Sequence, residues 1–273
     1  MFGVNSALAE SFLEQQCTLL PMSKVVYSID REDPAPTPGM MSFAYEGIYV
    51  SNNGTASKDD IRISDLGGNR SPEWSPDSLQ IAYIHVSDNF QTSYIRVTNP
   101  EGHATRTIEG NYSASSLNGL SWSPDGKMLA FTDDVRKAVV IIDLETENIF
   151  TVASKVGEDI SWSPDGQKIA FWVREGVDGN DADGWVIYLV NIDGSGLIRV
   201  TNPSDSRGDM GPLLWTVNGQ FLSYNSFKLD SQGDRSDYEI RIVDRDGNNI
   251  KTLSTPIEVV NQSYYPWIRS LNP

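Results

Sequence analysis

The sequence contains only one cysteine and two histidines among its 273 residues. One cysteine cannot form an internal disulfide bond or a cysteine-rich zinc site, so disulfide-stabilised small folds and zinc fingers are excluded. Cys17 has no basic neighbour in the sequence, which argues against a reactive thiolate. The sequence also lacks the Gly-x-Ser-x-Gly and His-Glu-x-x-His motifs, so neither a serine hydrolase centre nor a zinc protease centre is predicted.

Positive charge is also scarce. The chain has 21 lysine and arginine residues against 37 aspartate and glutamate residues, which gives a formal net charge of −16. This charge repels the phosphates of nucleic acids and the head groups of anionic membranes, so we expect no nucleic-acid partner. No apolar run approaches 18 residues, so no membrane span is predicted. Because 39% of the residues are hydrophobic, the chain can form a packed globular core.

A repeated motif is the most informative feature of the sequence. Three copies align without gaps: Trp74-Ser75-Pro76-Asp77-Ser78, Trp122-Ser123-Pro124-Asp125-Gly126 and Trp162-Ser163-Pro164-Asp165-Gly166. A fourth, degenerate copy is Trp215-Thr216-Val217-Asn218-Gly219. The tryptophans are separated by 48, 40 and 53 residues, and a further 52 residues lead to Trp267. A period of this length is typical of a four-stranded propeller blade.

The motif predicts a tight turn between two strands. Proline presets the backbone for the second position of a type I turn, and glycine accepts the left-handed conformation that follows. The tryptophan before each turn offers a large flat surface, and its repetition at one position favours packing between sheets over ligand stacking. Other aromatic residues near the strand ends, including Trp172 and Trp185, are either stacking platforms or part of the same packing.

The strand count predicts an all-β, five-bladed β-propeller of four-stranded antiparallel blades over residues 23–273. We call the strand that ends in tryptophan the inner strand, and the following three the second, third and outer strands. The earliest predicted strand, Lys24 to Ile29, is of the second type and has no inner strand before it. The last inner strand, Ser263 to Ile268, has no turn motif after it. We therefore expect the C-terminal strand to complete the first blade and close the ring, which leaves no exposed terminal edge.

Residues 1–22 precede the predicted propeller. The segment from Asn5 to Leu20 has the apolar spacing of a short helix, with Ser6 as a cap and Pro21 as a stop. Alternatively, Ser6-Ala7-Leu8-Ala9 is the remnant of an export signal, because small residues two apart resemble a cleavage site.

The sequence resembles the TolB-like propeller repeats, often described as WD-like repeats. Four elements carry the resemblance: the Trp-Ser-Pro-Asp-Gly turn, the Ile-Ala-Phe strand, the Ile-Tyr-Val strand and the Asn-x-Asp-Gly turn. The resemblance runs from about Ser23 to Trp267. It implies a propeller in a bacterial protein that is periplasmic or extracellular. Proteins with such repeats include scaffolds that bind other proteins, propeller domains of serine peptidases, and polysaccharide-degrading enzymes, so the resemblance does not select one function.

In a propeller, the loops that join second to third strands open on the same face as the loops that lead into the next inner strand. This loop face is strongly acidic and carries, among others, Asp133, Asp134, Glu158, Asp159 and Asp209. Paired carboxylates across a central pocket would suit a glycosidase, with Asp134, Asp159 and Asp209 as candidate catalytic residues. Ordinary solvated loop acids explain the same pattern. As binding residues on this face we predict Asp134, Tyr112, Asp159, Arg207, Asp209 and Asp237.

One loop has the composition of a calcium site. Asp178, Asn180, Asp181 and Asp183 are spaced by small residues, and calcium needs six to eight oxygen ligands. The bidentate glutamate of the full loop motif is missing, so a turn without metal is the competing interpretation. No other cofactor is predicted.

The sequence thus favours a non-enzymatic scaffold that binds a protein or peptide with a basic patch through its acidic loop face. The alternative is a carbohydrate-active enzyme, either a glycoside hydrolase or a lyase, that uses paired carboxylates in the central pocket. A purely structural subunit of a larger complex is a third possibility.

Overall fold

The structure is a computed structural model. It describes residues 25–30, 46–51, 60–65, 68–87, 92–113, 117–155, 157–176, 183–201, 207–208, 212–229 and 235–252. The predicted helix at residues 5–20 and the predicted C-terminal strand at residues 263–268 lie outside these ranges.

All regular structure in the described residues is β-strand, and none of these residues forms a helix that could cross a membrane. The first ten strands are β1 Val25–Asp30, β2 Glu46–Ser51, β3 Ile61–Arg62, β4 Gly68–Trp74, β5 Ile81–Val86, β6 Thr92–Thr98, β7 Arg106–Ser113, β8 Leu117–Trp122, β9 Met128–Asp133 and β10 Ala138–Asp143. The remaining strands are β11 Ile149–Ala153, β12 Glu158–Trp162, β13 Lys168–Gly176, β14 Asp183–Asn191, β15 Ile198–Arg199, β16 Arg207–Gly208, β17 Leu214–Trp215, β18 Phe221–Leu229, β19 Arg235–Asp244 and β20 Lys251–Thr252.

The strands form repeat units of consecutive antiparallel strands, as the sequence predicts. Unit 1 contains β1 to β3, unit 2 contains β4 to β7, and unit 3 contains β8 to β11. Unit 4 contains β12 to β15, and unit 5 contains β17 to β20. The antiparallel, four-stranded pattern of the blades is therefore confirmed in units 2 to 5. In the described part of unit 1, three strands pair.

The four repeated turns have the same internal hydrogen bonds. In each, the first hydroxyl donates to the side-chain oxygen two residues later: Ser75 to Asp77 at 2.6 Å, Ser123 to Asp125 at 2.6 Å, Ser163 to Asp165 at 2.7 Å, and Thr216 to Asn218 at 2.8 Å. The last residue of each turn has a positive φ: Ser78 at 64°, Gly126 at 70°, Gly166 at 72° and Gly219 at 64°. The left-handed last position predicted from the motif is confirmed, and glycine occupies it in three of the four turns.

The core lies between neighbouring sheets. One buried apolar cluster joins each successive pair of units, from units 1 and 2 through to units 4 and 5. Trp74, Trp122, Trp162 and Trp215 are all buried in these clusters. Trp172 is completely buried against Tyr224 of unit 5. The packing role predicted for the repeated tryptophans is thus confirmed, and Trp172 belongs to the core as well.

The turn between third and outer strands packs against the outer part of the preceding unit. A β-carbon at Gly102 would lie 2.9 Å from the Cα of Ile63, and one at Gly194 would lie 3.4 Å from the carbonyl oxygen of Val152. Both glycines have a positive φ. In unit 3 the left-handed residue of this turn is Glu147, whose φ is 58°. Each of these turns therefore shields part of a neighbouring outer strand.

Ion pairs between charged side chains also connect adjacent units. Arg106 of unit 2 pairs with Glu147 of unit 3 at 2.6 Å, and Arg245 of unit 5 pairs with Asp165 of unit 4 at 2.8 Å. Lys155, which follows unit 3, pairs with Glu175 of unit 4 at 3.0 Å. These contacts lie at the margins of the apolar clusters and supplement the packing between sheets.

The sequence predicts separate blades, but the structure joins two of them. The short strand β16 pairs with β14 on one side, where Gly208 faces Trp185, and with β18 on the other, where Arg207 faces Phe227. Units 4 and 5 therefore belong to one nine-stranded sheet. Strands β13, β14, β18 and β19 have nine or ten residues each, whereas β9 and β10 of unit 3 have six.

Candidate binding site on the loop face

A short turn after β9 carries Asp134, one of the predicted site residues. The preceding residue, Asp133, is completely buried and accepts hydrogen bonds from the backbone N–H groups of Val135 and Arg136 at 2.9 and 3.0 Å. It also forms an ion pair with the guanidinium group of Arg136. Asp133 is thus a structural residue that fixes the turn, and Asp134 is the acid that the turn presents.

The neighbouring inner strand begins with Glu158 and Asp159. Glu158 faces Trp172 in the β12–β13 pair, and a bulge follows before pairing resumes at Ser161. Asp159 lies in this bulge with a φ of 48°, and its exposed fraction is 9%. The bulge increases the local twist and directs the start of the strand away from regular pairing.

The same bulge recurs in the other inner strands. Ser71 in unit 2, Gly119 in unit 3 and Asp159 in unit 4 all lie three residues before the repeated tryptophan, and each has a positive φ. A β-carbon at Gly119 would lie 3.4 Å from the backbone nitrogen of Asp159. The bulges of units 3 and 4 therefore pack directly against each other, which brings the acidic ends of the two units together.

Electrostatically, the three acids act on one another. Burial raises the pKa of Glu158 above its ordinary value, and the charges of Asp134 and Asp159 raise it further. Arg174, which lies in β13, acts in the opposite direction without cancelling the effect. Burial and the two neighbouring negative charges thus favour the protonated form of Glu158 over the charged one.

Asp134 adds an acceptor to this group. Its Oδ1 atom is buried and has no hydrogen-bond partner among the described residues. A buried carboxylate oxygen without a donor is costly, and a ligand that supplies an N–H group would remove that cost. We refer to Asp134, Glu158 and Asp159 together as the acidic group.

The other predicted site residues are described less fully or lie outside the described ranges. Only the backbone is described for four of them: Tyr112 in β7, Arg207 in β16, Asp183 in β14 and Asp237 in β19. Four others lie outside the described residues: Asp178, Asn180, Asp181 and Asp209. The structure thus brings Asp134 and Asp159 to a common neighbour, Glu158. The sequence places Glu158 on the acidic face without marking it as a site residue, and its position directly before Asp159 is the one signal that points to it.

The histidines do not join the acidic group. His85 lies within β5, because the apolar stretch from Ile81 to Val86 continues pairing through it. Its Nδ1 atom lies 2.8 Å from Oδ1 of Asn69, and the ring is buried. Within the described part, no group of three or more histidine, cysteine, aspartate or glutamate residues is arranged to hold a metal ion.

Comparisons with known proteins identify the fold. No protein-family model matches the sequence, and no curated protein sequence matches it. The structure is similar to TolB from Acinetobacter baumannii, with a TM-score of 0.58, 20% identity and coverage of 85% of this chain. It is also similar to a chain of the nidogen/laminin complex, with a TM-score of 0.56, 10% identity and coverage of 85% of this chain and 78% of the other.

A third similar structure is an oligogalacturonate lyase in complex with manganese, with a TM-score of 0.55, 15% identity and coverage of 77% of this chain and 59% of the other. The match covers 53% of the Acinetobacter TolB chain, so this chain spans about half the length of that protein. At these identities the comparisons show architecture, and activity does not follow from them. The chain has the TolB-like β-propeller fold.

Proposed function

We propose that this protein is a non-enzymatic β-propeller scaffold that binds a protein or peptide with a basic patch through its acidic loop face. The observation that carries the proposal is the packing of the bulges of units 3 and 4 against each other, which brings Glu158 and Asp159 together with Asp134. A lysine or arginine side chain placed beside these acids would lower the pKa of Glu158 and stabilise its charged form. The buried Oδ1 of Asp134 would accept a hydrogen bond from the same cation.

The net charge of −16 supports the same type of partner. A basic partner is steered toward an acidic face, so association is fastest at low salt and slows as ions screen the exposed charges. The similar chain from the nidogen/laminin complex is part of a protein–protein assembly, which is consistent with a propeller that acts as a scaffold.

Binding of a lysine- and arginine-containing peptide array tests this proposal, with an acidic array of matched length as a control. We expect association to slow markedly between about 50 and 500 mM salt, because the Debye length shortens from more than 10 Å to a few ångströms. Asp134→Asn and Asp159→Asn should weaken binding. Glu101→Gln, which removes an exposed acid from the turn between β6 and β7, is the matched control. Salt-independent binding, or binding that neither Asn variant weakens, would contradict the proposal.

We also propose that the ring has five blades and is closed by the C-terminal strand, with residues 263–268 as the inner strand of unit 1. Units 2 to 5 each have an inner strand that ends in the repeated tryptophan, and Trp267 continues this spacing. Replacing Trp267 by alanine should then destabilise the protein by about 3 kcal/mol, as expected for a buried tryptophan. Unfolding in urea measures this, and an unchanged stability would contradict closure through this strand.

The second candidate function is a carbohydrate-active enzyme. A carboxyl group with a raised pKa beside two further carboxylates is the arrangement that a general acid and its partner require. A panel of polysaccharides distinguishes the two functions. The enzyme is favoured if the protein turns over a polysaccharide and a single substitution abolishes this turnover while folding is retained. The substitutions to test are Glu158→Gln, Asp134→Asn, Asp159→Asn and Asp209→Asn.

From the repeat resemblance we also propose that the protein is located in the periplasm or outside the cell.

We further propose that Asp178, Asn180, Asp181 and Asp183 bind calcium. Calorimetric titration with calcium tests this proposal, and Asp181→Asn should abolish binding.

A further inference from the structure

Thr132, near the end of β9, has a buried hydroxyl group. Its exposed fraction is 0%, and its Oγ1 atom has no hydrogen-bond partner among the described residues. A hydroxyl that is buried without a partner loses its hydrogen bonds to water and gains none in exchange, so it destabilises the fold. Valine has nearly the same shape without this cost. Packing alone therefore does not explain a threonine at this position.

The side chain of Thr132 faces unit 4. Alternate residues of a strand share a face, and Ala130 of β9 packs in one buried cluster with Ile160 of unit 4. The cross-strand neighbour of Thr132 in β10 is Val139. The Val139 side chain would lie 3.2 Å from a β-carbon at Gly157, directly before the inner strand of unit 4. The Thr132 hydroxyl is thus placed between units 3 and 4.

The contacts on the other side of Thr132 lead to the acidic group. Its neighbour in β8 is Asn118, which directly precedes Gly119, the residue that packs against the backbone nitrogen of Asp159. Asp134 follows Thr132 by two residues, and its buried Oδ1 also has no hydrogen-bond partner among the described residues. Two buried acceptors therefore come from the same end of β9, next to the carboxylates at the start of β12.

A primary ammonium group fits these acceptors better than a metal ion or a guanidinium group. Within the described ranges, no three acids are arranged to hold a metal ion. A guanidinium group is planar and binds the two oxygens of one carboxylate side by side, whereas these acceptors are single oxygens of different residues. An ammonium group has three N–H donors and no acceptor. It can donate to Thr132 Oγ1, to Asp134 Oδ1 and to the carboxylates of β12.

The neighbouring cations of the chain do not occupy this place. Arg136 lies in the same turn, but its guanidinium group forms the ion pair with Asp133. Arg174 lies in β13 and acts on the charge of Glu158. Neither of them, nor any other described residue, donates a hydrogen bond to Oδ1 of Asp134. A donor supplied by a partner would therefore form a hydrogen bond that the folded chain does not make by itself.

We propose that the loop face recognises a lysine side chain of the partner, whose ammonium group donates to Thr132 Oγ1 and Asp134 Oδ1 and whose charge is balanced by the acidic group. This inference rests on the proposed function and narrows its partner from a basic patch to a lysine. Val135, with an exposed fraction of 62%, offers apolar surface in the same turn for the methylene groups of that lysine. An arginine in its place binds through charge alone, and more weakly.

Two peptide arrays of otherwise identical sequence, one with lysine and one with arginine at every basic position, test the inference on the full chain. We expect the lysine array to bind about tenfold more tightly, because only the ammonium group bonds to both buried oxygens. Trimethylation of the lysines keeps their charge and removes the N–H donors, so it should abolish this preference. Thr132→Val should also abolish it, and Thr132→Ser should retain it. Thr151→Val, at an exposed threonine of the same unit, is the matched control and should change neither affinity.

Stability provides a second measurement. Thr132→Val should raise the free energy of unfolding in urea while it weakens lysine binding, because it replaces a buried hydroxyl that has no partner by a methyl group. A hydroxyl that is bonded within the fold would give the opposite change in stability, and a less stable variant would therefore overturn the inference. A lysine preference that Thr132→Val leaves unchanged would overturn it as well.

The arrays also separate this inference from the proposed function. If the wild-type chain binds neither array, the proposed function fails and the inference fails with it. If the chain binds both arrays equally and Asp134→Asn weakens both, the acidic loop face binds basic partners through charge alone. In that case the proposed function stands and the lysine inference is wrong.

Discussion

The indole nitrogen of Trp122 donates a hydrogen bond to the backbone carbonyl of Glu73 in the preceding unit at 3.1 Å. Trp215 repeats this contact with the carbonyl of Ser161 at 3.3 Å. In both cases the acceptor is the residue directly before the tryptophan of the previous unit. Trp122 and Trp215 therefore join units through a directional bond in addition to their buried surface.

This relationship predicts different results for two tryptophans. Trp122→Phe should destabilise the protein by about 1 kcal/mol more than Trp162→Phe, because one hydrogen bond is worth roughly that amount. The Trp162 indole nitrogen is buried and has no hydrogen-bond partner among the described residues, so Trp162→Phe is the matched control. Urea unfolding of both variants measures the difference, and equal losses would argue that the indole bond contributes nothing.

In the fourth turn, Asn218 occupies the position that aspartate has in the others. Its Oδ1 accepts hydrogen bonds from Thr216 and from the backbone N–H of Gln220. Asn218→Asp should therefore stabilise the protein by about 0.5 kcal/mol at neutral pH, since a charged acceptor makes stronger bonds. Asn249→Asp is the control with the opposite sign, because the Asn249 amide donates to Asp244 and a carboxylate there would repel it. Thermal unfolding compares the two variants.

The pH dependence of the turns follows from the hydroxyl bonds. The hydrogen bond from Ser123 lowers the pKa of Asp125 below its ordinary value of 3.8. The unfolded chain then binds the proton more readily than the folded one, so the stabilisation is present above pH 3.8 and is lost as the pH falls through the lowered pKa.

Ser123→Ala should return the pKa of Asp125 toward 3.8 and cost about 1 kcal/mol at neutral pH, because Ser123 also accepts a bond from the Met128 N–H. The difference from wild type should shrink at acidic pH. A carboxyl NMR titration and urea unfolding at several pH values measure this, with the exposed Ser154→Ala as the control. A difference that grows on acidification would show that the sign is wrong.

Alanine substitutions at Gly102 and Gly194 measure how tightly the turn of one unit packs against the preceding unit. Both have a positive φ, of 77° and 82°, so alanine at either position costs about 1 kcal/mol from the backbone alone. Only at Gly102 would the new β-carbon lie within 3.0 Å of backbone, at 2.9 Å from the Cα of Ile63. Gly102→Ala should therefore cost at least about 1 kcal/mol more than Gly194→Ala in urea unfolding. Equal costs would mean that the neighbouring unit moves aside freely.

The acidic group predicts a stabilising substitution. The pKa of Glu158 is raised from 4.5 by burial and by its acidic neighbours, so the folded state holds the proton more tightly than the unfolded chain. Ionised Glu158 thus opposes folding as the pH rises above 4.5. Glu158→Gln should raise the melting temperature at neutral pH and have little effect below pH 4.5. A lower melting temperature at neutral pH would indicate that the negative charge is already neutralised.

The parts of the fold that follow local rules could be predicted from the sequence. The turns and the strand order depend on residues close in sequence, such as Ser123 and Asp125, and the tryptophan packing between units follows from the repetition of the motif. β16 could not be predicted, because Arg207 and Gly208 have no strand pattern and pair only where two extended hairpins come close. The position of Asp134 and Asp159 on the loop face could be predicted from the order of the strands. The raised pKa of Glu158 could not, because it depends on how deeply the side chain is buried, which the sequence pattern does not show.

The pairing of β16 with both β14 and β18 has a mechanical consequence. Elsewhere in the described part, units 1 to 4 meet through side chains and occasional bonds, so we expect those joints to open more easily. Units 4 and 5 are also joined by the backbone pairing of the two-residue strand β16, so we expect them to separate last. If the molecule is pulled, separation should start at the joints between units 1 to 4 and reach the joint between units 4 and 5 last.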